Sequence, residues 1–311
     1  MLTKYAFVDG FIKPARENAP ADWLDLSAPT EEEARQVRET CGLPDWFIND
    51  ALDDRERPHI DLEEDCLLVI ARLSAEKSAD GDRLFSTIPV GIIITPNRLV
   101  TVCLKADLVK NQLLPLFQRR RNWTRTRLAF AVFHAAAAGF ITNLERMEDL
   151  ADEAEARLRL SPRNEEILAL LDVQKSLIDT TIALKTNHAL MEKFLQPHLF
   201  NQQISKEELD ILDDALTESQ QGIFMADILN QVVASMSDAF GSVISNNLNT
   251  VMKFMAGVTI MLMLPTLVAG LYGMNVELPL ARAPWAFGFL CALSLFLTLA
   301  IAIWFAKKNW L

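Results

Sequence analysis

The sequence predicts an α/β domain, then long helices, then two C-terminal transmembrane helices. Three observations carry this prediction. Short β-branched apolar stretches punctuated by turns dominate residues 1 to about 120. From about Asn122, apolar residues recur with heptad-like spacing among abundant i,i+4 charge pairs. Finally, the segments Phe254 to Tyr272 (FMAGVTIMLMLPTLVAGLY) and Ala283 to Ala306 (APWAFGFLCALSLFLTLAIAIWFA) contain no charged side chain.

In the first region, Tyr5-Ala6-Phe7-Val8, Cys66-Leu67-Leu68-Val69-Ile70, Val90-Gly91-Ile92-Ile93-Ile94-Thr95 and Leu99-Val100-Thr101-Val102 read as strands. Pro96-Asn97 marks a turn, which makes the last two a hairpin. Thr30 opens a helix with Glu33 placed for a capping box, and Gly42 ends it.

Residues 124–160, 162–196 and 205–272 read as long helices, separated by the breaks Ser161-Pro162 and Gln196-Pro197. The run from Leu128 to Ile141 is apolar but only fourteen residues long, so it reads as a buried helix rather than a third span. From Ser205 to Tyr272 no proline occurs before Pro265. A continuous helix there would extend ~100 Å. Its first part would be a stalk and its last part a membrane span, coupling a soluble domain to the bilayer; a plain anchor would look the same.

Nineteen helical residues cover ~28 Å, close to the ~30 Å hydrocarbon core. Lys253 precedes the first apolar run, and Lys307 and Lys308 follow the second. The positive-inside rule then places both termini in the cytoplasm and the short connection outside. The start of the chain, MLTKYAFVDGFIKPARE, has no uninterrupted apolar stretch of the kind a secretory signal needs. The expected organisation is a cytosolic α/β domain (1–120), a cytosolic helical region (121–204), a stalk helix (205–253), a first transmembrane helix (254–272), an external loop (273–282), a second transmembrane helix (283–306) and a basic tail (307–311).

The first span carries Gly257, Thr259, Pro265, Thr266 and Gly270, whereas the second is bulky with Phe287, Phe289, Leu293, Phe296 and Trp304. Small and polar residues favour helix–helix contact, so the first span reads as bundle-facing and the second as lipid-facing. Trp285, Trp304 and Trp310 suit the membrane interfaces. A single polar-faced helix cannot enclose a pore, but an oligomer can.

The segment SNNLNTVMKFMAGVTIMLMLPTLVAGLYGMN, ending in Gly273-Met274-Asn275, resembles the first transmembrane helix and signature of the CorA family of divalent-cation channels. The likeness extends at lower specificity to residues 51–61, 87–102 and 306–311. It implies a funnel-shaped homopentamer with a central pore lined by the first span, in a bacterial-type inner membrane. Mg²⁺ would be both the transported and the regulatory ion, with no organic cofactor and no nucleic-acid partner.

By the same resemblance, Gly273, Met274 and Asn275 form a selectivity filter at the outer mouth. Amide oxygens of an Asn275 ring could hydrogen-bond the water shell that Mg²⁺ sheds reluctantly. A helix C-cap is the plainer reading of Asn275. Gly270, Thr266 and Met263 share a helical face that Met255, Met252 and Asn249 continue. Spacing alone reads the methionines as packing; the resemblance makes these six residues pore lining, with Met252 and Met255 as an apolar gate.

Among the stalk acids, the resemblance points to Asp238 and more weakly to Asp214 as regulatory metal ligands, although a solvated face explains both. Some Mg²⁺-transporting members carry an acidic loop after the signature. Here Val276 to Arg282 holds one acid, Glu277, and one base, Arg282. Glu277 remains available to attract cations. A Zn²⁺, Co²⁺ or Ni²⁺ transporter of the same family, with or without proton coupling, and a membrane-anchored sensor without a pore are the alternatives.

Enzymatic readings find little support. The four cysteines form no CxxC, and the four histidines show no close metal-ligand pairing. No P-loop, nucleotide fingerprint or hydrolase elbow is present.

Overall fold

The computed structural model describes every residue except 17–19, 77–84, 107, 120, 161–163, 196–203, 276–282 and 309–311, and only the main chain of 76, 114–119, 160 and 164. The breaks expected at Ser161-Pro162 and Gln196-Pro197 therefore lie outside the described residues, as do Glu277, Arg282 and Trp310. The chain divides into two units, Met1–Met236 and Ser237–Leu311. This boundary falls inside the segment that the sequence reads as one stalk.

The first unit is built on a seven-stranded sheet of order β2-β1-β3-β7-β6-β5-β4. Its strands are β1 (Leu2–Val8), β2 (Phe11–Pro14), β3 (Trp23–Ser27), β4 (His59–Glu63), β5 (Cys66–Glu76), β6 (Phe85–Ile94) and β7 (Leu99–Cys103). Only the β3–β7 pairing is parallel among the described strands. Val8 pairs with Phe11 across Asp9 and Gly10, whose φ angles of 54° and 79° make the two-residue loop that a twisted hairpin favours. The hairpin around Pro96-Asn97 forms as expected, with Ile94 opposite Leu99.

Side chains alternate across the sheet. Leu67, Val69, Ala71 and Leu73 enter one core, while Cys66, Leu68 and Ile70 enter the other. Both faces are covered, which explains why these strands read as continuous apolar runs. On one face lie α1 (Glu31–Cys41) and α2 (Asp45–Ala51), contributing Val37, Phe47 and Ile48. Thr30 and Glu33 form the capping box, and Gly42 closes α1 at φ 65°.

The other face is covered by α3 (Leu108–Arg119) and by parts of α4 (Arg125–Leu160), α5 (Asn164–Phe194) and α6 (Lys206–Tyr272). Phe130 and Phe133 of α4 meet Phe194 of α5 edge-on, at 5.6 and 5.7 Å between ring centres. Among the described residues, three helices are long and apolar enough to cross a membrane: α4, α6 and the last helix, α7 (Ala286–Lys307). In α4, 67% of the apolar window is buried, against 6% in α6 and 0% in α7. The α4 segment is thus core, as its short apolar run indicates. The second apolar run becomes helical three residues later than expected, because Pro284 and Trp285 form a turn closed by Ala286 N–H donating to Ala283 O (3.1 Å).

A second capping box starts α6. Ser205 N–H donates to Glu208 Oε2 (2.8 Å), and Glu208 N–H donates to Ser205 Oγ (3.3 Å). Arg127 of α4 pairs with Glu207, and Thr124 donates to Glu208. Farther along, Lys185 of α5 pairs with Asp227 at 2.9 Å, and His134 of α4 approaches Glu218 at 3.3 Å. The first part of α6 is thereby tied to the body of this unit.

Candidate pore-lining face

In the second unit, α6 and α7 form a pair. Gly257 of α6 faces the ring of Phe305 on α7, where an added methyl group would stand 3.4 Å from Cδ2. Both residues are buried. Gly257 was expected on the bundle-facing side of the first span. In this chain it faces the second span instead, with room for a methyl group but nothing larger between its backbone and the ring.

At about 100° per residue, Asn249, Met252, Met255, Met263, Thr266 and Gly270 occupy one arc of about 120°, and Gly257 lies about 140° from its centre. Asn249, Thr266 and Gly270 are exposed in the single chain, and Met252, Met255 and Met263 are 60%, 58% and 64% exposed. A Cβ at Gly270 would meet nothing within 4 Å. The arc is therefore a long surface left uncovered by α7. It is apolar at its first methionines and polar at both ends.

The polar groups on α6 are arranged as acceptors. Thr266 Oγ1 donates to Leu262 O (3.0 Å), so its proton is committed to the helix and its oxygen lone pairs remain. Thr259 and Thr250 likewise donate to Met255 O and Asn246 O. Pro265 sits within the helix without an N–H, a feature that membrane helices tolerate.

The helix ends at Tyr272. Gly273 N–H donates to Ala269 O (2.9 Å), so Gly273, and not Asn275, closes the last turn. This corrects the plainer reading of Asn275, whose amide is not needed as a cap. Gly273, Met274 and Asn275 are all exposed beyond the helix end.

The candidate regulatory acids separate. Asp238 is exposed and stands eleven residues before Asn249, three turns away and nearly on the same arc. Asp214 is exposed in the first unit and is not without an interaction. Asp227 and Glu218 are engaged by Lys185 and His134. Among the described residues, no three of His, Cys, Asp and Glu gather in a metal-holding group. The sequence reading identified the exposed arc but not the Gly257–Phe305 contact, whose only signal is a glycine off that arc.

A family model described as "CorA-like Mg2+ transporter protein" matches residues 18–308. The cobalt/magnesium transport protein CorA of Methanocaldococcus jannaschii is 25% identical over 298 residues, covering 93% of this chain and 91% of that protein. The protein of the same name from Thermotoga maritima is 21% identical over 309 residues, covering 96% and 86%. The complete structure of the CorA magnesium transporter from M. jannaschii matches with a TM-score of 0.83 at 23% identity, covering 100% of this chain and 98% of that one. That likeness extends to the α/β domain, the long helices and the two C-terminal helices.

Proposed function

The chain belongs to the CorA-like Mg²⁺ transporter family, and from that premise we propose that it is a passive channel importing divalent cations, Mg²⁺ first. The observation that carries this reading is the exposed arc of α6 from Asn249 to Gly270, opposite the face that α7 occupies at Gly257. Copies of the chain, five in the reading we adopt, set these arcs around a common axis in a cytoplasmic membrane, with both termini inside. Met252 and Met255 make an apolar constriction that closes by excluding water. Asn249 forms a polar ring beneath it, and Met263, Thr266 and Gly270 line the path outward.

At the outer mouth, Gly273, Met274 and Asn275 form the filter. The Asn275 amide, free of any capping duty, offers a carbonyl oxygen to the water shell of the ion. Neutral oxygens hold a hydrated divalent ion weakly enough to release it. Glu277 concentrates cations nearby. Influx needs no nucleotide hydrolysis, because an inside-negative potential supplies ~4.6 kcal/mol per 100 mV for a divalent ion.

The relatives named above are cobalt/magnesium transport proteins, which supports Mg²⁺ with Co²⁺ as a second substrate. Cytosolic Mg²⁺ at Asp238, Asp214 being the weaker candidate for such a site, holds the channel closed. Loss of metal lets carboxylate repulsion loosen it.

The test is metal influx into liposomes holding the purified chain, read by internal Mg²⁺ and Zn²⁺ dyes with and without a negative potential. Voltage-driven Mg²⁺ influx that disappears in Asn275→Ala supports the proposal. Zn²⁺ influx alone would replace Mg²⁺ as the substrate, and absence of any divalent flux would favour a membrane-anchored sensor. Charge reversal at Asp214 and Asp238 should abolish the inhibition of flux by internal Mg²⁺.

A further inference from the structure

The first unit holds a cleft of about 590 Å³ bounded by the loop after α2, the paired strands β5 and β6, and α5. Nothing in the transport reading uses it. Its inner wall is Arg72 of β5. Arg72 Nε donates to Thr87 Oγ1 (2.7 Å), Nη1 to Glu56 O (3.0 Å), and Nη2 to Thr87 O (2.7 Å) and Asp54 O (3.2 Å). All these acceptors are neutral, and a guanidinium stays charged. Burial lowers the Arg72 pKa, while the charges of Asp54 and Asp179 act against that shift.

The charge inventory of the cleft follows from these contacts. Asp54 and Asp179 serve as counter-charges for Arg72. Glu56 accepts from Arg57 N–H (3.1 Å) and lies 3.6 Å from His59 Nδ1. Arg55 and Arg57 also line the cleft. Their side chains are exposed and make no ion pair among the described residues. Thr87 Oγ1 accepts from Arg72 and keeps its own proton to donate. Ile88, Ile182 and Ala183 supply an apolar wall.

We propose that this cleft binds a nucleotide-sized organic phosphate, with phosphate oxygens on Arg55 and Arg57 and the apolar part of the ligand against Ile88 and Ile182. The volume lies within the ~300–1,000 Å³ typical of small-molecule sites. Guanidinium forks match phosphate oxygens two at a time. The walls come from separate elements, so the ligand ties the loop after α2 to α5. Lys185, on α5 but outside the cleft lining, is paired with Asp227 of α6, so α5 links the cleft to that helix.

The experiment is calorimetric titration of the full chain in detergent with ATP and, separately, with inorganic phosphate, both with chelator present so that no metal complex forms. It uses no flux measurement and is independent of the channel reading. Saturable ATP binding is expected, weakened at least about tenfold in the Arg55→Ala/Arg57→Ala variant. Ile182→Glu, which changes an exposed side chain on the apolar wall, should weaken ATP binding without touching the arginines. Melting temperatures close to wild type confirm that both variants fold. No ATP binding, ATP binding indifferent to all these substitutions, or phosphate binding as tight as that of ATP would each overturn the proposal.

Discussion

Gly257 and Phe305 bring the two C-terminal helices together, with a methyl group at Gly257 fitting 3.4 Å from Cδ2 and 3.7 Å from Cε2 of a ring that is only 3% exposed. These distances are ordinary van der Waals contacts, so Gly257→Ala should be tolerated. Gly257→Leu places three further carbons where the ring sits, and such overpacking costs ~1–3 kcal/mol. The expected outcome is wild-type melting in detergent for alanine and a clear loss for leucine, with flux falling in parallel. A leucine variant that melts like wild type would mean that the helices do not meet at this point.

A tighter relationship lies in the first unit. A Cβ on Gly91, in the middle of β6, would stand 2.4 Å from Cβ of Ala51 at the end of α2. Both positions are buried, so neither can yield outward. Gly91→Ala should destabilise the chain by about 2 kcal/mol or more, and Ala51→Gly combined with Gly91→Ala should recover part of it. Thermal melts of the four members of this cycle measure the coupling. Purely additive losses would show that some other contact is responsible.

Much of this architecture is legible locally. The boundaries of α1 follow from Thr30, Glu33 and Gly42, because a capping box and a left-handed glycine are short-range chemistry. The long helices and membrane runs follow from periodicity and length. What is not legible depends on partners distant in sequence. The apolar run at Cys66–Ile70 gives only the first part of β5, which continues to Glu76 because β6 keeps pairing with it. Arg72 lies within that strand, its charge held by carbonyls of Asp54, Glu56 and Thr87 from elsewhere in the chain. Trp23–Ser27 pairs in parallel with β7, a crossover that no local pattern announces. The arc of α6 is readable as a face, but Gly257 finds its neighbour only once α7 folds back.

The constriction proposed at Met252 and Met255 makes a prediction that a mere anchor does not. Both side chains are apolar and exposed on the same arc. Replacing both with serine should let water persist between them and raise the basal flux at high internal Mg²⁺. A barrier lowered by about 1.4 kcal/mol corresponds to on the order of tenfold. Liposome flux, compared with Met261→Ser off the arc, measures this effect. Equal behaviour of the two variants would remove the methionines from the gate.

The two capping glutamates predict an acid-sensitive fold. Thr30 N–H, then the Met1 amino group and Leu2 N–H, hold the Glu33 pKa down from 4.5 to about 2. For Glu208, burial opposes ionisation, but donors from Thr124 and Ser205 and the charge of Arg127 leave its pKa below 4.5. A folded-state pKa below the unfolded value means stabilisation that is fully present above 4.5. It is lost as pH falls through the folded pKa. Glutamine can occupy the same capping position without titrating. The Glu33→Gln/Glu208→Gln variant should therefore melt lower than wild type at neutral pH, because its capping bonds are no longer charge-assisted. Its melting temperature should also fall less steeply than that of wild type on acidification below 4.5. Melting curves recorded from neutral pH downward test this directly. Parallel curves would show that acid unfolding begins at other carboxylates.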